Sequence, residues 1–161
     1  MQIFDASSMI YAWDNYPIEQ FPGLWEWVAI QIEIRNLVIS SAAFEEVSHK
    51  APECCSWLKD NDISRLEVTN AILQDAMRIK VLIGVVDDKY HSKGVDENDL
   101  FIIATARAHR FELISEEARQ PTLPQNEPTK RKIPAVCSMG GVNVPCINFI
   151  EYIKQSQAVF R

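Results

Sequence analysis

The chain has 161 residues, of which 47% are hydrophobic, 24% charged and 9% aromatic. That suits one compact domain spanning residues 1–161 with a real core, and excludes disordered, collagen-like and mucin-like classes. Sixteen Lys and Arg against 22 Asp and Glu give a net charge of −6, which at face value argues against a nucleic-acid binder.

Met1-Gln2-Ile3-Phe4 reads as a short opening strand ending at Asp5, and the hydroxyls of Ser7 and Ser8 offer caps for a helix from Met9. Pro22-Gly23 begins a helix carrying Leu24, Trp25, Trp27, Val28 and Ile32, with the two tryptophans expected in the core. Leu37–Ser40 is a compact β-prone run of the buried parallel type. Ala42–Lys50 reads as a helix, Pro52 starts another, and Ile63–Val68 reads as a strand. Thr69 caps a long helix from Ala71 to about Val86, its apolar stripe formed by Ile72, Leu73, Ala76, Ile79, Leu82 and Ile83. A polar loop leads to Leu100–His109, which is apolar on most of its circumference and is expected to be buried. Phe111–Ser115 reads as a strand, and Arg119–Pro134 as a mobile loop. Pro134–Cys137 reads as a helical turn, Val142–Ile147 as a last strand and Phe149–Gln155 as a last helix. Strands alternating with helices, without a repeat, predict an α/β fold with a largely parallel central sheet.

The negative charge is unevenly spread. Residues 1–100 hold 8 basic and 17 acidic side chains, whereas residues 101–161 hold 8 basic and 5 acidic, with Lys130-Arg131-Lys132 the densest cluster. A basic face on an acidic body is compatible with such polarity, so RNA is not excluded. The cluster reads either as a phosphate-contacting loop or as a solvated turn. Met1–Asp5 lacks the basic and apolar regions of an export signal, and the apolar run Val81–Val86 is far shorter than the ~20 residues of a membrane helix. The four cysteines include no C-x-x-C pair, which points away from zinc and toward reduced thiols in the cytoplasm. His49, His91 and His109 read as surface residues.

In open parallel sheets, ligands bind beyond the carboxyl ends of the strands. Asp5 ends the first strand, Glu45 and Glu46 follow the strand ending at Ser40, Asp99 opens a buried helix, and Glu116 and Glu117 follow Ser115. Each has a plain structural reading: Asp5 as a cap, Asp99 as a first-turn aspartate favoured by the helix dipole, the glutamates as solvated surface. If they converge, carboxylates ~4 Å apart repel by about 4 kcal/mol per pair at an effective dielectric near 20. Such a cluster calls for a hard, oxygen-seeking cation, Mg²⁺ or Mn²⁺. At ~100° per residue, Glu46 lies nearer the buried side set by Ala43, Phe44 and Val47, and Glu45 points away. Helical phase cannot choose between Glu116 and Glu117.

These residues resemble the motifs of the PIN domain, the metal-dependent nuclease fold that includes the VapC toxins of bacterial toxin–antitoxin systems. Ile3-Phe4-Asp5-Ala6-Ser7 is similar to the opening motif, and Ser40 through Glu46-Val47 to the second. Asp99-Leu100-Phe101-Ile102-Ile103-Ala104-Thr105-Ala106 resembles the third, and Ser115-Glu116-Glu117 occupies the fourth, whose spacing selects Glu117. Tyr16-Pro17 to Trp25, with Ile133–Cys137, is similar to an uncharacterised PIN-like bacterial family, so the resemblance spans nearly the whole chain. One departure stands out: the fourth acid is Glu, where the family more often has Asp or a non-acidic residue.

The resemblance implies a three-layer α/β/α fold and a Mg²⁺- or Mn²⁺-dependent endoribonuclease. Asp5, Glu46 and Asp99 would hold the metal, Glu117 would hold a second ion or orient the attacking water, and Ser7 would support them by hydrogen bonding. It further implies an RNA substrate, with Lys130, Arg131 and Lys132 as contacts, a cognate antitoxin that restrains the toxin, and a homodimer in the cytoplasm. Two other functions fit the same motifs: a non-catalytic PIN-like module that binds RNA or protein, and a housekeeping RNA or DNA nuclease without an antitoxin.

Overall fold

The computed structural model describes residues 1–123 and 125–161. Five strands, β1 (Gln2–Phe4), β2 (Leu37–Ser40), β3 (Arg65–Leu66), β4 (Glu112–Ile114) and β5 (Cys146–Ile147), form one sheet in the order β3-β2-β1-β4-β5. Every pairing is parallel, with Ile3 opposite both Val38 and Leu113. A parallel sheet is stable only when both faces are covered. All four residues of β2 are accordingly buried, as are Ile3 and Phe4, whose side chains point to opposite faces.

The helices that flank the sheet are α1 (Ala6–Asn15), α2 (Pro22–Glu33), α3 (Ser41–Lys50), α4 (Pro52–Asp60), α5 (Asn70–Leu82), α6 (Glu97–His109), α7 (Ile133–Cys137) and α8 (Phe149–Ser156). Their starts follow local chemistry. Asp5, Ser40, Thr69, Asp96 and Asn148 accept backbone N–H groups as N-caps, and proline sits in the first turn of α2, α4 and α7. Helix α6 is buried at Leu100 and Ile102–Ala106, as its sequence predicts, and stops where Arg110 takes a left-handed conformation. Trp25 is buried, its indole N–H donating to the Tyr16 carbonyl at 2.6 Å, and Trp27 is half-buried against Tyr152 and Phe160.

Several elements differ from the sequence reading. Helix α1 starts at Ala6 because Asp5, rather than a serine hydroxyl, caps it. Helix α5 ends at Leu82 because Gly84 adopts φ 79°, which reverses the chain. Its buried stripe is Ile72, Ala76, Ile79 and Ile83, while Leu73 and Leu82 are each 42% exposed. The strands expected over 63–68 and 142–147 shrink to two residues each at the sheet edges. The second is shortened by Asn143, whose φ of 52° is incompatible with a strand. The loop expected over Arg119–Pro134 contains a 3₁₀ turn at Pro128–Lys130; Pro124 within it lies outside the described residues. No helix is long and apolar enough to cross a membrane among the described residues.

Candidate functional site

The chain fills β2 and β3 on one side of β1, then β4 and β5 on the other, so the carboxyl ends of β1 and β4 lie side by side at the switch point. Asp5 N donates to the Ile114 carbonyl at 2.9 Å, and Ser8 Oγ to the same oxygen at 2.7 Å. Asp5 is 1% exposed. Its carboxylate accepts Ser8 N and Ser7 Oγ, both at 2.7 Å, and the Ser115 hydroxyl lies near enough to favour its charged form. Ser7 Oγ also accepts Glu116 N at 3.1 Å, and Ser115 Oγ accepts Glu117 N at 3.2 Å. The Ser7 hydroxyl thereby binds the loop after β4 to the aspartate after β1.

Asp99 enters from the first turn of α6, where it and Asp96 form a reciprocal cap: Asp99 N donates to Asp96 Oδ1 at 2.9 Å and Asp96 N to Asp99 Oδ2 at 3.0 Å. Glu117 Oε2 accepts the backbone N–H of Ile133, the first residue of α7, at 2.9 Å. Glu116 is turned elsewhere, accepting Phe149 N at the start of α8 at 2.6 Å. On α3, Glu45 is exposed, whereas Glu46 is half-buried at 24% side-chain exposure and paired with Lys50 Nζ at 2.5 Å.

The electrostatics tie these groups together. Burial pushes the Asp5 carboxyl above its ordinary value, opposed by the bonds from Ser115, Ser8 and Ser7. Asp99 is pushed up to about 8, first by burial and then, against the Asp96 N–H bond, by the charges of Glu117, Asp96 and Glu46. Glu117 is raised by burial and by the charge of Asp5, with the Ile133 N–H and Lys132 opposing. Lys50 is raised, chiefly by its bond to Glu46 and also by the charges of Asp96 and Asp99. The charge of Asp5 thus bears on Glu117, and those of Glu117, Asp96 and Glu46 on Asp99, with Lys50 and Lys132 offsetting part of the repulsion.

The donor set, carboxylate oxygens alone, fits a hard divalent cation, whose charge would relieve the repulsion that raises Asp99 and Glu117. Among the described residues, no three Asp, Glu, His or Cys side chains are gathered into a ready-made cage. Each carboxylate is engaged by a local donor instead, and like charges hold one another apart.

The basic cluster divides. Lys130 Nζ is tied to Glu127 Oε1 at 2.6 Å, Lys132 lies near enough to Glu117 to lower its pKa, and Arg131 has its Nε buried without an acceptor among the described residues. His49 and His109 are exposed, and His91 is half-buried. The four thiols are unpaired, with Cys54, Cys55 and Cys137 buried and Cys146 half-buried. The sequence reading missed Ser115 and Asp96. For Asp96 the signal was present, because Asp96-x-x-Asp99 ahead of an apolar run is a helix-start pattern. For Ser115, nothing local indicates that it lies beside a residue 110 positions away.

A family model described as "Domain of unknown function (DUF4411)" matches residues 2–160. Among solved structures, the chain is similar to one described as "Crystal structure of VapBC2 from Rickettsia felis bound to a DNA fragment from their promoter". The two share 14% identity at a TM-score of 0.57, with 92% of this chain and 98% of that chain covered. The shared architecture is the PIN-like α/β fold that the sequence motifs anticipate. No curated protein matches.

Proposed function

The chain belongs to the DUF4411 family and has a PIN-like fold, and from that premise we propose that it is a metal-dependent endoribonuclease, the toxin of a type II toxin–antitoxin pair acting in the cytoplasm. The observation that carries this reading is Asp5 buried at the switch point of a parallel sheet, with Asp99 and Glu117 raised by burial and by neighbouring carboxylates. Asp5, Glu46, Asp99 and Glu117 would hold Mg²⁺ or Mn²⁺, which supplies Lewis-acid activation of water and charge stabilisation at the scissile phosphate. The Ser7 hydroxyl and the Ser8 N–H hold the Asp5 carboxylate in place, and Ser115 Oγ anchors the Glu117 backbone. The Ile133 N–H holds Glu117 Oε2, and Lys132 and Lys50 flank the acidic groups with positive charge for a phosphate backbone. No side-chain nucleophile is needed. The similarity to a VapBC2 complex supports a protein antitoxin as the restraining partner, and assembly of the toxin as a homodimer belongs to the same proposal.

Incubating the chain with a panel of RNAs in Mg²⁺ or Mn²⁺ tests the reading. The wild type is expected to cut at least one, and Asp5→Asn and Asp99→Asn to cut none. Cleavage by both variants at the wild-type rate refutes it. A non-catalytic binding module is the second reading, favoured by the engagement of every carboxylate with a local donor. Absence of both cleavage and Mg²⁺-dependent stabilisation selects that alternative.

A further inference from the structure

Beside the carboxylates lies a second, larger concavity. A cleft of about 510 Å³ opens between the loop after β4 and α7, with Arg119, Gln120, Arg131, Pro134, Ala135 and Ser138 on its walls. Its volume falls within the ~300–1,000 Å³ of small-molecule sites. It adjoins the loop that carries Glu117: Arg119, Pro134 and Cys146 also line a neighbouring cavity of about 280 Å³ whose wall includes Ser115, Glu116 and Glu117.

Three features indicate what the cleft is built to take. Arg119 and Arg131 line it, and the Arg131 side chain makes no hydrogen bond or ion pair among the described residues, whereas Arg119 is paired with Glu151. A guanidinium without a carboxylate partner is available to an incoming anion, and its fork matches phosphate. Pro121, Pro134 and Val144 add apolar surface against which a flat ring can lie. The walls are also tied in place. The Gln120 amide donates to the Lys130 carbonyl at 2.9 Å and accepts Lys132 N at 2.7 Å, while Arg119 is paired with Glu151 on α8. Behind this tie, Gly94 packs so closely that a Cβ there would lie 2.0 Å from the Thr129 carbonyl oxygen.

We propose that this cleft binds one nucleoside-monophosphate unit of the substrate strand, the unit next to the phosphodiester at the carboxylates. Arg131 holds its phosphate, and the Pro134–Ala135 wall receives its base. The cleft then selects which nucleotide flanks the cut. The assignment to a substrate strand rests on the nuclease reading; capture of a mononucleotide does not.

NMR titration of the isotope-labelled full chain with the four nucleoside 5′-monophosphates, and separately with inorganic phosphate, tests the proposal. At least one nucleotide is expected to bind more tightly than phosphate and to shift the amides of Ala135 and Ser138. Arg131→Gln is expected to weaken that binding about tenfold or more, the loss for one charge-assisted hydrogen bond. Ala135→Phe, which fills the cleft and spares both arginines, is expected to abolish it. No binding by the wild type, phosphate binding as tight as that of every nucleotide, or binding that survives both cleft variants overturns the proposal. Wild-type chain that binds a nucleotide in the cleft yet cuts no RNA overturns the nuclease reading alone.

Discussion

Replacing Asp99 with Asn is expected to stabilise the metal-free protein while removing its activity. In the unfolded chain Asp99 ionises near 3.8, and in the fold only near 8. The folded state therefore binds a proton that the unfolded state releases, and this contribution to stability, complete below 3.8, is lost as pH rises toward 8. At pH 7.5 the loss has a ceiling of ~5 kcal/mol, at 1.36 kcal/mol per pH unit. Water at the rim of the site screens part of that, and Asn provides a weaker, uncharged cap for the Asp96 N–H, which leaves ~2–3 kcal/mol. Urea denaturation of both proteins in EDTA measures it. Asp99→Asn should be the more stable at pH 7.5 by that margin, and the two should agree within ~1 kcal/mol at pH 4.5. Added Mg²⁺ should raise the midpoint of the wild type and leave that of the variant in place. Equal stability at pH 7.5 in EDTA, or equal stabilisation by Mg²⁺, would refute the argument that burial and neighbouring carboxylates raise Asp99.

Ser7→Ala removes the hydroxyl that joins Asp5 Oδ2 to Glu116 N, so it should cost ~1–2 kcal/mol in urea unfolding and slow RNA cleavage. Gly94→Ala drives a methyl group into the Thr129 carbonyl and should cost ~1–3 kcal/mol, read as a lower urea midpoint with faster proteolysis near residues 119–132. Lys132→Ala and Arg131→Ala should each reduce the log–log salt dependence of RNA binding by roughly one. Lys130→Ala should change it little, because Glu127 already holds that ammonium group. An equal effect from all three would show that the whole cluster faces the strand.

What could be read from the sequence was local. Asp5 after Ile3-Phe4, the buried run Leu37–Ser40 and the apolar girdle of Leu100–Ala106 identify the parallel α/β class, because strand and helix periods and caps act within a few residues. Helical phase separates Glu46 from Glu45 in the same way, and the structure leaves Glu45 exposed. The arithmetic of −6 was also local in kind: it counted charges without their positions. Only the tertiary structure places Ser115 beside Asp5, puts the charge of Glu117 within reach of Asp5 and Asp99, and sets Arg131 in a cleft next to the Glu117 loop. Those relations join residues more than 100 positions apart, and they exist because β4 pairs with β1 and α6 packs beside α3. The same packing decides protonation, since burial and neighbouring charge, not residue type, raise Asp99. The acids were written in the sequence; which of them act on one another's charge was decided by the fold.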